Sequence, residues 1–118
     1  MHELGIAQGI LDIVGQYVPA GRGAGVRAVR VRVGAMAGIV PDSLEFCFSA
    51  IVRDSPFPGA RIEIEPVPTR GVCSACRREF EIEGAFFLCP HCGAADVRIL
   101  SGRELDVIDI ELAEDGSE

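Results

Sequence analysis

Cys73-Ser74-Ala75-Cys76 and Cys89-Pro90-His91-Cys92 constrain this chain more tightly than any hydrophobic pattern in it. Two CxxC pairs separated by twelve residues place four thiols where two tight turns can face one ion. Backbone N–H groups of the same turns then point at the sulfurs. Zn(II) at a closed structural site suits such a tetrahedral four-thiolate set, and an iron–sulfur or rubredoxin-like iron site uses the same ligands. A pair of disulfides needs an oxidising compartment, and no basic segment followed by an apolar core opens the chain as a secretory signal would. Gly93, just after the second pair, can take the positive φ that turns a knuckle away, whereas Arg77 holds that place after the first pair.

Outside this segment the patterning is regular. Gly5 to Val18 carries Ile6, Ile10, Leu11, Ile13, Val14, Tyr17 and Val18 at helical spacing, and Pro19 with the glycines that follow ends it. Val26 to Gly34 alternates Val29, Val31 and Val33 with Ala28, Arg30 and Arg32, which predicts a half-buried strand. Pro41 to Val52 places Leu44, Cys47, Phe48 and Ile51 on one helical face, with Pro41 and Asp42 suited to a first turn. A second strand is expected over Ala60–Val67 and a third over Glu104–Leu112, the latter through Ile108, Ile110 and Leu112. The last residues, Glu114 to Glu118, read as a frayed acidic tail.

The resulting expectation is an α+β fold: a small three-stranded sheet with two helices on one face, formed by residues 1–67 and 101–118, and a zinc-ribbon-like insert at 68–100. Within the insert, Phe80, Phe86 and Phe87 are expected to cover the knuckles as a miniature core. Cys47 reads as a small buried hydrophobe on the second helix. No run approaches the length of a membrane span.

Zinc ribbons often bind nucleic acid, but the charge is wrong for it. The whole chain has a formal net charge of −7. From Arg70 to Arg103, five arginines meet four carboxylates, and four thiolates around a dication leave the segment slightly negative. No nucleophile with its base, and no cofactor loop, suggests an enzyme.

His2 is the remaining anomaly. The amine of Met1, the backbone amide nitrogen of His2 and its imidazole Nδ1 can close fused chelate rings, and deprotonated amide nitrogens favour square-planar Ni(II) or Cu(II). Glu3 adds a further amide and a carboxylate. A bulky second residue hinders removal of the initiator Met, so Met1 is expected to stay.

Met1-His2-Glu3-Leu4, Ile6-Ala7-Gln8, Pro41-Asp42-Ser43-Leu44, Phe46, the two CxxC pairs and Gly102-Arg103-Glu104-Leu105 together resemble the HypA/HybF family, nickel metallochaperones of [NiFe]-hydrogenase maturation. The resemblance covers nearly the whole chain. It implies nickel at Met1, His2 and Glu3, structural zinc on Cys73, Cys76, Cys89 and Cys92, and no enzymatic activity of its own. It also implies a HypB-type GTPase and a hydrogenase large-subunit precursor as partners, with urease as a further client. A cytoplasmic monomer or homodimer is expected on the same ground. Gly5 stands where Ser is common in the family, and Gly34 to Gly38 replaces a usually more polar stretch; neither removes a ligand. His91, between the zinc cysteines, is either an exposed knuckle residue or a stand-in ligand when thiolates protonate.

Overall fold

A computed structural model of the chain describes residues 3–83 and 88–113. Met1, His2, Phe86, Phe87 and the acidic tail Glu114–Glu118 lie outside the described residues.

Two three-stranded sheets organise the chain. The first is centred on β1 (Val26–Gly34), with β2 (Arg61–Val67) parallel on one side and β6 (Leu105–Leu112) antiparallel on the other. A parallel pair needs a crossover, and α2 (Pro41–Val52) supplies it between β1 and β2. The long helix α1 (Glu3–Tyr17) packs beside α2. Val29, Val31 and Val33 of β1, Leu44 and Phe48 of α2, and Ile10 and Val14 of α1 are buried together, so the expected arrangement of two helices on a three-stranded sheet is found. The other face of the sheet is polar. There Arg30 pairs with Glu63 on β2 at 2.9 Å, and with Asp109 and Glu111 on β6 at 2.7 and 2.9 Å. Both faces of β1 are thus used, the valines by packing and the arginines by cross-strand ion pairs.

The helix α1 starts two residues earlier than its apolar pattern suggests and presents a different face. The buried line is Glu3, Ala7, Ile10 and Val14, spaced four, three and four. Ile6, Leu11 and Val18 flank it, while Ile13 and Tyr17, expected on the apolar face, are exposed, Tyr17 by 73%. A similar phase change occurs on β6. Arg30 pairs with Asp109 but Val31 with Val107, which leaves Ile108 as the extra residue of a β-bulge. Val107, Ile110 and Leu112 therefore pack on the core, and Ile108 is displaced from the face it was expected to occupy.

The inserted segment is more ordered than its weak periodicity suggests. β3 (Arg70–Cys73), β4 (Glu79–Glu81) and β5 (Val97–Ser101) form an antiparallel sheet in the order β4-β3-β5. Its core is separate from the first and very small: Cys73, Phe80, Ile82 and Cys89 are buried, with Cys76, Ala94, Val97 and Ile99 packed around them. Phe80 thus takes the covering role expected of it.

The two sheets meet where the chain leaves the first and returns to it. Ala35 N–H donates to Val67 O at 2.9 Å, Met36 N–H to Gly102 O at 2.6 Å and Gly34 N–H to Glu104 O at 2.8 Å. Thr69 is buried there. Gly102, at φ 118°, lies so close to it that a Cβ would come within 2.6 Å of the Thr69 hydroxyl. A Cβ on Gly34 would fall 2.1 Å from the Gly102 carbonyl. No helix among the described residues is long and apolar enough to cross a membrane.

Candidate metal centre

The four cysteines of the two CxxC pairs converge. Their sulfurs all lie within 4.8 Å of one another, with Cys73 Sγ 3.5 Å from Cys92 Sγ and Cys76 Sγ 3.6 Å from Cys89 Sγ. Zn–S bonds of ~2.3 Å in a tetrahedron separate sulfurs by about 3.8 Å, so this donor set fits such an ion. None of the five cysteines is in a disulfide.

The geometry comes from two turns built alike. Cys73 N–H donates to Arg78 O at 3.0 Å and Arg77 N–H donates back to Cys73 O at 2.7 Å. Cys89 N–H donates to Ala94 O at 2.9 Å and Gly93 N–H to Cys89 O at 2.8 Å. Arg77 and Gly93 therefore occupy equivalent places, and both have left-handed backbone, φ 66° and 79°. Arg77 is the one non-glycine with positive φ among the described residues. Amides also reach the sulfurs: Cys76 N–H to Cys73 Sγ at 3.4 Å, and His91 N–H to Cys89 Sγ at 3.3 Å.

The electrostatics of four crowded thiols splits them into two kinds. The Cys76 N–H, helped by that of Ala75, lowers Cys73 against the opposing effect of burial. Burial works against the Cys89 thiolate, but the amides of Cys92 and His91 and the neighbouring thiols outweigh it and hold Cys89 at about 6. The Arg78 N–H favours the Cys76 thiolate, yet burial and the sulfurs of Cys89 and Cys73 raise it. Ala94 N–H favours the Cys92 thiolate, but Cys73, burial, Cys89 and Cys76 push it up to about 12. The cluster thus favours the thiolate at Cys73 and Cys89 and the thiol at Cys76 and Cys92, and a dication bound among them would favour the thiolate at all four.

His91 is exposed, and its Nδ1 lies 3.2 Å from the Arg78 guanidinium. Arginine only donates, so in this contact Nδ1 is the acceptor. The cysteine cluster does not include it. Cys47, expected as a small buried hydrophobe, packs against the main core but is only half-buried. Ile82 completes the miniature core, a role the sequence reading did not assign; the alternation of Phe80 and Ile82 was the available signal.

The second set of expected ligands is only partly described. Met1 and His2 lie outside the described residues. Glu3 opens α1 and is buried, 7% exposed, and its Oε2 accepts the Val40 N–H at 3.0 Å.

A family model described as "Hydrogenase/urease nickel incorporation, metallochaperone, hypA" matches residues 1–112. The chain belongs to the HypA family. The hydrogenase maturation factor HypA of Desulfosudis oleivorans is 46% identical over 115 residues, covering 97% of this chain and all of that protein. That of Geobacter metallireducens is 44% identical, covering 95% and 99%. The solution structure of the Ni metallochaperone HypA from Helicobacter pylori matches with a TM-score of 0.65 at 17% identity, covering 98% of this chain and 100% of that one. At that identity the match speaks for the fold. The family is one of metallochaperones for hydrogenase and urease nickel incorporation, not of enzymes.

Proposed function

We propose that this chain is a nickel carrier for [NiFe]-hydrogenase maturation, with urease as a second client, and that it holds one structural zinc. Its membership of the nickel-incorporation family along residues 1–112 carries the reading. Residues 1–67 and 101–118 form the nickel-binding domain in this proposal, and residues 68–100 the zinc domain. Cargo Ni(II) takes the Met1 amine, the His2 amide nitrogen and Nδ1, and Glu3. A short chelate at the chain terminus exchanges its ion, whereas Cys73, Cys76, Cys89 and Cys92 keep theirs.

The zinc reading rests on the donor set. Four thiols at tetrahedral spacing suit zinc, and the surrounding core of Phe80 and Ile82 is too small to offset the entropy of ordering its segment. Zinc supplies that deficit as a folding staple. Partners in this reading are a HypB-type GTPase and the hydrogenase large-subunit precursor, in the cytoplasm, with no nucleic acid bound. The carrier works as a monomer or homodimer.

The test is nickel titration of tag-free, zinc-loaded protein with a native N-terminus, beside His2→Ala and a form extended before Met1. The expected result is one Ni(II) per wild-type chain, lost in both variants while zinc is kept. Equal nickel binding by all three would move the cargo site away from the N-terminus and favour a zinc module that docks another protein.

A further inference from the structure

The two outer edges of the first sheet differ. β2 is interrupted by Pro66, which has no N–H to offer a further strand. β6, at the other edge, runs for 8 residues without proline, lysine or arginine, the residues that usually blunt an exposed edge. Beside it lies a groove of about 440 Å³, lined by Ile13 and Tyr17 of α1 and by Leu105, Ile108 and Ile110 of β6. Tyr17 is 73% exposed and Leu105 41%, so large apolar side chains face solvent along one groove. Ile13 and Leu105 also line a hollow of about 200 Å³ that reaches Val31 of the core. Gly9 lines this hollow, and a Cβ there would meet nothing within 4 Å. A glycine inside a helix weakens it, and what this one leaves in return is space.

The charges select the occupant. α1 carries Glu3 and Asp12 and no basic residue, and β6 carries Asp106, Asp109 and Glu111 and none either. On its inner edge β6 already meets a strand of complementary pattern, β1, in which Val29, Val31 and Val33 alternate with Arg30 and Arg32. There the valines pack on the core while Arg30 pairs with Asp109 and Glu111. Asp106 is exposed and forms no ion pair among the described residues; Arg32, its cross-strand neighbour, reaches Glu65 instead at 3.5 Å. A second copy of this chain would set acid against acid, and the bulge at Ile108 bends the strand away from the flat edge that another sheet needs.

We propose that the outer edge of β6 takes, as an added strand, a short extended segment of a partner protein in which apolar side chains alternate with arginine or lysine. Main-chain hydrogen bonds to β6 hold the segment, its apolar side chains enter the groove beside Tyr17 and Leu105, and a basic side chain meets Asp106. The docking edge stands whether or not nickel binds at the N-terminus.

The probe is a capped synthetic hexapeptide of alternating valine and arginine, with a valine–glutamate hexapeptide as its control, added to the zinc-loaded full chain. Binding is followed by fluorescence anisotropy, and its place by hydrogen exchange. The valine–arginine peptide is expected to bind and to slow exchange along β6 but not along β2, and the control to do neither. Asp106→Lys and Tyr17→Ser, both at exposed positions, should each weaken binding about tenfold. Gly9→Leu should weaken it too while leaving thermal stability equal or higher, which separates a filled hollow from a damaged fold. Binding that is unchanged in all three variants, or that slows no β6 amide, would reduce the effect to attraction between a cationic peptide and an acidic protein and overturn the proposal. Equal binding of the control would overturn it as well. Self-association without peptide that is lost in Tyr17→Ser would make the occupant a second copy of this chain.

Discussion

Each cysteine knuckle ends on a left-handed residue, and the chain meets that requirement once with Gly93 and once with Arg77. A Cβ on Gly93 would meet nothing within 4 Å, so Gly93→Ala tests backbone conformation alone. It should lower the stability of the metal-loaded protein by about 1 kcal/mol. Arg77→Gly should raise it by roughly half as much, because relief of the left-handed strain is partly offset by the freer unfolded chain. Denaturant titration of both variants checks the pair, and a neutral Gly93→Ala would mean that the turn does not hold its φ. The need for a glycine after Cys92 was legible in the sequence, since Gly93 stands there. The matching place after Cys76 was legible too, but Arg77 gave no sign that it takes the same left-handed backbone, which goes with its hydrogen bond to Cys73 O. Glu3 was legible as a residue of interest but not as a buried carboxylate, since nothing near it in sequence names Val40 as a partner.

Among the elements, those with their own hydrophobic periodicity were readable and those that depend on partners were not. β1, β2 and α2 fall where their alternation or helical spacing placed them, β2 beginning at Arg61 instead of Ala60. α1 was found but turned, because a buried carboxylate and an alanine, Glu3 and Ala7, mark its inner face while exposed Ile13 and Tyr17 imitate one. On β6 the bulge at Ile108 shifts the phase, and a bulge leaves no mark in a run of alternating aliphatic and acidic residues. The inserted strands, three to five residues long, are too short to show a period at all. Their dependence on the metal is testable. Chelation should abolish the amide protection of β3, β4 and β5 while the helical signal of α1 and α2 persists, as read by hydrogen exchange and circular dichroism. Extraction should become easier as pH falls, and more steeply below about 6, where protons compete for the Cys89 sulfur as well as for those of Cys76 and Cys92. Survival of the inserted sheet without metal would show that its miniature core suffices. Metal analysis of the same preparation separates zinc from iron.

At the scale of the molecule, the decisive contact is the joint between the sheets. Gly34 faces Gly102 so closely that a methyl group there would meet backbone, which cannot move aside as a side chain does. Gly34→Ala should therefore cost about 2–3 kcal/mol by thermal unfolding, whereas Gly59→Ala, with open space around it, should be close to neutral. A mild Gly34→Ala would mean that the joint yields. None of this could be read from the sequence, in which positions 34, 69 and 102 carry ordinary residues far apart. The joint has a consequence for how such chains change over generations. Arg70 and Ser101 are paired neighbours, and Ser101 donates its hydroxyl to Pro68 O at 2.9 Å, so the inserted segment departs and returns through one doorway. A segment held that way is a cassette. The stretch between its knuckles can lengthen, shorten or change partners without disturbing the helices and sheet that house it, provided the two residues at the hinge of the doorway stay small.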